Sequence, residues 1–395
     1  MTTSTPPDGN DAGRAPNGGT TSDATTPGAA GPAAAGPAAA PPPRLDEPGA
    51  FRPGEELDRA ALERWIRGVT GDRHGALEIA QFGKGHSNLT YFVRLGDREW
   101  VLRRPPFGTH VATAHDMGRE FRVLSRLHEL YPPAPRAEHF CDDTAILGAP
   151  FFLMERVRGV IIRKDVPRGV TLDEDTARRL CASFVEHFAR IHEVNLAAIG
   201  LEDLGNPVGY IGRQVDGWTR RYHGSQTDDI ADVTAVTSWL AANTPDDDRG
   251  CLIHNDFKLD NIVLDPGDVT RIIGVLDWEM TTVGHPLMDV GTTLAYWVQA
   301  DDPPEMQMLR FMPTNLPGML TRRELVDAYG ERTGTNIGNI RFHEVYGLFK
   351  LSVIAQQIYY RFKAGKTSDP RFAMMIEAVR MLNRVAVSRI EAPAP

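Results

Sequence analysis

The strongest constraint on this chain is a polar octapeptide set between two short apolar segments. Residues 254–261 read His-Asn-Asp-Phe-Lys-Leu-Asp-Asn, with Cys251-Leu252-Ile253 before them and Ile262-Val263-Leu264 after them. Apolar runs bounded by turn residues predict strands, and Asp265-Pro266-Gly267-Asp268 predicts a turn into a third strand at 271–276. The sequence therefore predicts a small hairpin with polar side chains gathered at the strand ends.

Four polar residues of this region form a set suited to phosphoryl transfer: Asp256, Lys258, Asn261 and Asp277. Moving a phosphoryl group to a hydroxyl depends on positioning and charge more than on covalent chemistry. Mg²⁺ prefers oxygen ligands and often takes few from protein, so Asn261 and Asp277 would suffice. Asp256 could then accept the proton of the attacking alcohol. Each residue alone could be an ordinary turn former that caps local backbone, but four in this order and spacing favour the chemistry.

The octapeptide and Asp277 resemble the catalytic loop and the metal-binding Asp of the protein-kinase-like superfamily, whose signatures are H-R-D-x-K-x-x-N and D-F-G. Asn255 replaces the usual Arg, Asp277-Trp278-Glu279 replaces D-F-G, and no A-P-E follows. These differences are similar to the aminoglycoside phosphotransferase and choline kinase branch. Segments 82–91, 101–106 and 284–289 resemble the phosphotransferase domains associated with acyl-CoA dehydrogenases. The likeness covers roughly residues 55 to 385 and implies MgATP as the phosphoryl donor.

A glycine-containing turn upstream is a candidate for phosphate contact. Strands are predicted at 77–82, 89–95 and 99–104. The turn between the first two could bring backbone amides to phosphate oxygens, and its candidate contact residues are Gly83, Gly85, Ser87 and Asn88. Hairpins also use such glycines without any ligand. The turn precedes a strand and lacks a Gly-Lys-Ser/Thr ending, so it is neither a dinucleotide fingerprint nor a P-loop.

A kinase also needs a cation on the third strand and a carboxylate on the following helix. Arg103 and Arg104 alternate between the two faces of the strand, so one of them enters the cleft. Arg103 is chosen because Trp100, Leu102 and Arg104 then share the other face. The carboxylate is Glu120, on a helix from about 116 to 130 with an apolar stripe that includes Leu130. The alternative for Glu120 is a solvated helix charge.

Other roles follow from the resemblance. Residues 150–159 would link the lobes, with backbone groups near Glu155 and Val157 hydrogen-bonding the adenine. His254 would hydrogen-bond the loop, and Asp289 would brace it by accepting backbone hydrogen bonds. Glu279 could contact a second Mg²⁺ or the acceptor, or have a surface or structural role.

Strand signals come first along the chain and helix signals later. A capping box at Thr171 and Glu174 predicts one helix start. Further helices are predicted near 209–223, 231–243, 321–333, 339–363 and 371–390. The expected fold is α+β and two-lobed: residues 51–157 form an N-terminal nucleotide-binding lobe with an antiparallel sheet and the linker, and 158–390 form a larger helical catalytic and acceptor-binding lobe.

Residues 1–50 hold ten Pro, eight Gly and no aromatic residue, a composition expected to remain a disordered tail. The net charge of −9 argues against a nucleic-acid partner bound through a basic surface. The sequence shows no uninterrupted apolar stretch long enough for a membrane span and no signal-peptide pattern, and its three cysteines are widely spaced. These features favour a cytoplasmic protein.

These patterns predict transfer of the γ-phosphoryl group of MgATP to a hydroxyl of a small molecule. A hydroxyacyl-CoA is one candidate acceptor, and an aminoglycoside or other antibiotic is another. Basic residues near the cleft, Arg156, Arg158, Arg163 and Lys164, could meet a phosphorylated or CoA-bearing acceptor or be solvated charges. A nucleotide-binding pseudokinase scaffold is the rival from another class, and the pattern does not predict an oligomeric state.

Overall fold

The computed structural model describes residues 42–83, 88–107, 116–230, 232–367 and 369–392. Its N-terminal part contains an antiparallel five-stranded sheet in the order β1-β2-β3-β5-β4. The strands are β1 (Leu77–Gln81), β2 (Leu89–Leu95), β3 (Arg98–Arg104), β4 (Ala137–Cys141) and β5 (Phe151–Glu155). Leu95 pairs with Arg98 across a two-residue turn, where Gly96 adopts a φ of +60° that glycine tolerates without steric cost.

Three helices accompany this sheet: α1 (Arg59–Thr70), α2 (Met117–Leu127) and α3 (Thr144–Leu147). The Asp116 carboxylate caps α2 by accepting a hydrogen bond from the Arg119 amide. The helix ends at Leu127, and Leu130 is 42% exposed, so its expected place in the apolar stripe is wrong. Pro132 and Pro133 follow, and proline disfavours continuation of a helix through the residues before it.

The C-terminal part is mainly helical. Its helices are α4 (Glu174–His192), α5 (Tyr210–Gly224), α6 (Thr234–Ala242), α7 (Pro286–Tyr296), α8 (Pro304–Met308), α9 (Arg322–Thr333), α10 (Ile340–Lys363) and α11 (Met375–Glu391). Two antiparallel strand pairs lie among them: β6 (Cys251–Ile253) with β9 (Thr282–Gly284), and β7 (Ile262–Asp265) with β8 (Asp268–Val275). The predicted two-lobed α+β fold is therefore confirmed, and no helix of the described residues has the length and apolarity needed to cross a bilayer.

The predicted capping box at Thr171 is wrong. Helix α4 begins at Glu174, and its cap is Asp173, whose carboxylate accepts from the Thr176 amide at 2.8 Å. Thr171 lies two positions before this cap, where its hydroxyl cannot serve as the N-cap. A true capping box is present instead at Thr321 and Glu324, at the start of α9.

Helices α7 and α10 cross so closely that only glycine fits at the contact. A Cβ on Gly347 would lie 1.9 Å from the Gly291 carbonyl oxygen, and one on Gly291 would lie 2.0 Å from the His343 carbonyl oxygen. Both obstacles are backbone atoms, which cannot rotate away as a side chain can. The two helices can approach this closely because Gly291 and Gly347 have no side chains.

We expect Gly347→Ala to lower the free energy of unfolding by about 3 kcal/mol, because an added methyl group overpacks a rigid contact. Gly68→Ala is the matched control: Gly68 lies within α1, and nothing lies within 4 Å of a Cβ built there. That control should gain roughly 0.5–1 kcal/mol from helix propensity. Urea denaturation of both variants measures the difference, and equal stability would show that the helices can separate at little cost.

Candidate active site

The loop between β6 and β7 brings three of the predicted residues together. The Lys258 Nζ lies 2.8 Å from Oδ2 of Asp256 and 3.0 Å from Oδ1. The Asn261 amide nitrogen donates to the Asp256 side chain and to its backbone carbonyl, both at 2.9 Å. Burial opposes the charge on Lys258, but Asp256 and neighbouring groups raise its pKa above the usual value. Asp256 is thus a carboxylate held in place from two sides.

His254 ties this loop to the strand that ends before Asp277. Its Nε2 donates to the Leu276 carbonyl at 3.0 Å, and its Nδ1 accepts from the Asp256 amide at 3.2 Å. Because one ring nitrogen donates and the other accepts, the imidazole is the neutral Nε2–H tautomer. Burial also lowers its pKa. The predicted structural role of His254 is confirmed.

Asp289, in the first turn of α7, binds the backbone of the same loop. Its carboxylate accepts from the backbone amides of His254 at 2.6 Å and Asn255 at 2.7 Å. Asn255 has a φ of +66°, a left-handed conformation that Asn and Asp adopt more readily than most residues. The predicted bracing by Asp289 is confirmed, and it holds the backbone turn that presents Asp256.

Arg103 on β3 connects the sheet to this loop region. Its Nη2 lies 2.9 Å from Oδ1 of Asp277, and its Nε lies 3.3 Å from Oε1 of Glu120. Burial raises the pKa of Glu120 to about 7, with Arg103 opposing the shift. Arg104 points elsewhere: its Nε donates to the Pro105 carbonyl and its guanidinium lies 3.6 Å from the centre of the Phe107 ring. Alternation along β3 therefore separates the two arginines.

Asp277 also has a left-handed backbone, with a φ of +68°. Burial would raise its pKa, but Arg103 and Lys258 hold that pKa below the usual value. Two residues on, Glu279 accepts a hydrogen bond from the Asn88 amide and lies 3.5 Å from Nη2 of Arg103. Glu279 thus links the start of β2 to the C-terminal part, which is a structural contact.

The remaining predicted nucleotide residues lie on the sheet side. Gly83 follows β1, whereas Gly85 and Ser87 lie outside the described residues. The Glu155 amide donates to the Arg136 carbonyl at 2.9 Å, so that donor is already engaged. Val157 follows in an irregular segment, and its amide donates to none of the other residues that the structure describes. Among the described residues the Val157 amide therefore has no backbone acceptor, whereas the Glu155 amide has one.

The sparse oxygen ligands fit Mg²⁺ shared with a nucleotide. No group of three or more His, Cys, Asp or Glu side chains suited to a metal lies in the described ranges. Asn261 donates through its amide nitrogen, which leaves its side-chain oxygen for another partner. Asp277 has a second oxygen beyond the one that faces Arg103. One carboxylate and one amide oxygen are typical of Mg²⁺ that takes its other ligands from phosphates and water.

Two residues near Asp256 were missed in the sequence. Lys350 on α10 is 2% exposed and donates from Nζ to the Asn255 carbonyl at 3.0 Å. Burial lowers its pKa to about 8. Tyr296, the last residue of α7, places its ring centre 4.7 Å from the Lys258 Nζ. The signal for Lys350 was a lone cation within the apolar run Leu348-Phe349-Lys350-Leu351, whereas Tyr296 had none.

A sheet-bearing lobe and a helical lobe that carries an Asp-Lys-Asn loop define the kinase-like class of phosphotransferases. Residues 78–325 match the phosphotransferase enzyme family, and the chain belongs to that family. It is 35% identical over 324 residues to acyl-CoA dehydrogenase family member 11 of Rattus norvegicus, an alignment that covers 80% of this chain and 41% of the relative. The chain thus spans less than half the length of that relative.

Solved structures agree on the fold. A Ralstonia eutropha protein provisionally assigned as an aminoglycoside phosphotransferase has a TM-score of 0.71 and 28% identity, covering 85% of this chain and 98% of its own. A thermostable mutant of aminoglycoside phosphotransferase APH(4)-Ia, in ternary complex with ADP and hygromycin B, has a TM-score of 0.54 and 14% identity, covering 85% and 99%. At that identity the second likeness concerns the fold alone.

We expect Lys350→Met to loosen the loop of residues 254–261, because the Asn255 carbonyl loses its buried donor. An unsatisfied buried acceptor costs about 1–3 kcal/mol, so amides of residues 254–261 should exchange faster by the corresponding factor. Hydrogen exchange followed by mass spectrometry measures this. Lys363→Met, on the same helix with a side chain 53% exposed, should leave loop exchange unchanged. Identical exchange in the two variants would contradict the bracing role of Lys350.

Proposed function

We propose that this protein transfers the γ-phosphoryl group of MgATP to a hydroxyl of a small molecule, and that a hydroxyacyl-CoA is the acceptor. The observation that carries the proposal is that two charged clusters from distant parts of the chain lie close enough for Lys258 of one to lower the pKa of Asp277 in the other. One is Asp256 with Lys258 and Asn261, and the other is Arg103 with Glu120 and Asp277. Transfer between phosphate and hydroxyl needs this combination of a base, cations and metal ligands.

Each residue then has one role. Asp256 orients and deprotonates the acceptor hydroxyl, and Lys258 stays beside it to meet the charge of the transferring group. Asn261 and Asp277 would hold Mg²⁺, which when bound neutralises phosphate charge. Arg103, oriented by Glu120, clamps phosphate oxygens as a fork of donors.

The donor nucleotide would lie against the sheet. The turn residues Gly83, Gly85, Ser87 and Asn88 would approach its phosphates. The Val157 amide and the backbone near Glu155 would hydrogen-bond the adenine. The fold-level likeness to a phosphotransferase in complex with ADP supports ATP as the donor. Three free cysteines, Cys141, Cys181 and Cys251, support a reducing compartment such as the cytoplasm as the place of action.

The acceptor assignment rests on the relatives. The rat relative is named an acyl-CoA dehydrogenase family member, which supports an acyl-CoA with a hydroxyl. The Ralstonia eutropha neighbour supports an antibiotic acceptor as the alternative. The basic residues at the lobe linker do not decide between them, because Arg156 and Arg158 pair with Glu99, and Arg163 pairs with Asp46.

We expect Asp256→Asn to lower phosphotransfer by ~10²- to 10⁴-fold, the usual contribution of a general base, while MgATP binding persists. Asp277→Asn should instead lose the Mg²⁺-dependent part of nucleotide binding, because the Asp277 carboxylate is a proposed metal ligand and the variant lacks its negative charge. The measurements are ADP release across a panel of hydroxyl acceptors and calorimetric titration with ATP, with and without Mg²⁺.

Asp268→Asn is the matched control for this pair, since Asp268 is the exposed first residue of β8. It should behave as the unmodified protein. Near-normal turnover of Asp256→Asn would refute the assignment of the base. Clear MgATP binding with ADP release at the level of that variant for every acceptor would favour a pseudokinase scaffold.

Nucleotide affinity should weaken as the pH falls through about 7. The pKa of Glu120 is raised to about 7, so below that pH the carboxyl becomes neutral and no longer attracts Arg103. We expect the Glu120→Gln variant to bind MgATP roughly tenfold more weakly than the unmodified protein at high pH, a free-energy difference that corresponds to about one pKa unit. The affinity of the variant should also depend less on pH. Because ATP itself changes its protonation state with pH, the affinities of the variants are compared with one another at each pH. Glu129→Gln, at an exposed position, is the control; parallel profiles for all three proteins would contradict the role of Glu120.

A further inference from the structure

A cavity of about 50 Å³ lies among helices α7, α8, α10 and α11. Its walls are made by alanine, valine, leucine, methionine, phenylalanine and tyrosine side chains. One water needs about 10–15 Å³ of such space, but it also needs polar partners. A cavity with this lining therefore stays dry and accepts apolar groups.

Exposed apolar side chains lie in the cavity lining or next to it in the chain. Phe311 lines the cavity and is 49% exposed, and its ring packs edge-on against Tyr296 with centres 5.6 Å apart. Met374, beside the lining residue Met375, is 62% exposed. Exposed apolar side chains next to an apolar cavity are typical of a binding groove.

Tyr296 joins this cavity to the proposed reaction centre. The residue lines the cavity, and its ring centre is 4.7 Å from the Lys258 Nζ. Lys258 in turn lies 2.8 Å from Asp256. A lining residue of the cavity is therefore in contact with the lysine that pairs with the Asp256 carboxylate.

We propose that this cavity holds the aliphatic part of the acceptor, so that the substrate is an alcohol carried on a hydrocarbon chain. This inference rests on the proposed phosphotransfer and assigns a binding place to the acyl chain of its acceptor. A polycationic antibiotic would need carboxylates to replace its hydration, and the described residues that line this cavity include no Asp or Glu. Cavity size then selects the length of the chain.

Filling the cavity tests the proposal. Ala378 lines it from α11 and is 7% exposed, so Ala378→Leu should occupy part of the space. With straight-chain hydroxyacyl-CoA esters of increasing length as probes, we expect kcat/KM for the long esters to fall roughly tenfold or more, as for misfit in an apolar pocket. Short esters and the KM for ATP should be unaffected. Ala241→Leu, at an exposed position of α6, is the matched control.

Met381→Ala is the converse variant, because it enlarges the cavity and should shift the preference towards longer chains. It also keeps the proposal testable if Ala378→Leu fails to fold. Chain-length preferences that neither variant changes would overturn the proposal, as would a preference for a polycationic acceptor.

A binding measurement separates this inference from the phosphotransfer itself. Calorimetric titration with a straight-chain fatty alcohol needs no turnover, and burial of the chain should give a negative heat-capacity change. Binding that Ala378→Leu weakens supports the cavity as a hydrocarbon site even if no acceptor is phosphorylated, in which case only the proposed function fails. Absence of binding to the unmodified protein would overturn the cavity assignment even if phosphotransfer is found.

Discussion

The site depends on one buried carboxylate, Asp289, which is 0% exposed. Burial of a charge without partners is costly, yet Asp289 receives two backbone amides of the loop and the His192 imidazole at 3.2 Å. Burial would raise its pKa, but these donors keep the pKa below its usual value. The carboxylate therefore stays charged and fixes the backbone at the point where Asp256 must be presented.

A buried cation also binds the backbone of this loop. Lys350 donates to the Asn255 carbonyl, so the peptide groups around Asn255 are bound by Asp289 through their N–H groups and by Lys350 through a C=O group. A left-handed conformation at a residue other than glycine persists only when its surroundings over-determine it. Helices α7 and α10, which carry these two side chains, are themselves held together by the Gly291–Gly347 contact. The packing of α7 against α10 thus fixes the position of the proposed base, because Asp289 and Lys350 on these helices bind the backbone beside it.

Residues close in sequence were the easiest to place. Asp256, Lys258 and Asn261 lie within one loop, so their spacing alone predicts that they meet. Arg103 and Asp277 are 174 positions apart. The family resemblance assigned both to the nucleotide site, but the sequence predicted no ion pair between them. Lys350 lies 95 positions from its partner Asn255 and belongs to no motif, and the position of Tyr296 follows from the packing of α7. The local errors at Thr171 and Leu130 arose where several neighbouring residues could end or begin a helix equally well.

The charges around Arg103 bear on how the proposed site would receive its nucleotide. Glu120, Asp277 and Glu279 all lie within 3.5 Å of one guanidinium, so carboxylates outnumber cations at this point. A free triphosphate would meet an excess of negative charge there, whereas MgATP brings a cation that Asp277 can share. Arg103 would then exchange part of its contact with Asp277 for phosphate oxygens while keeping Glu120. On this view the carboxylates around Arg103 make nucleotide binding depend on the metal, and Glu120 keeps the arginine oriented through the exchange.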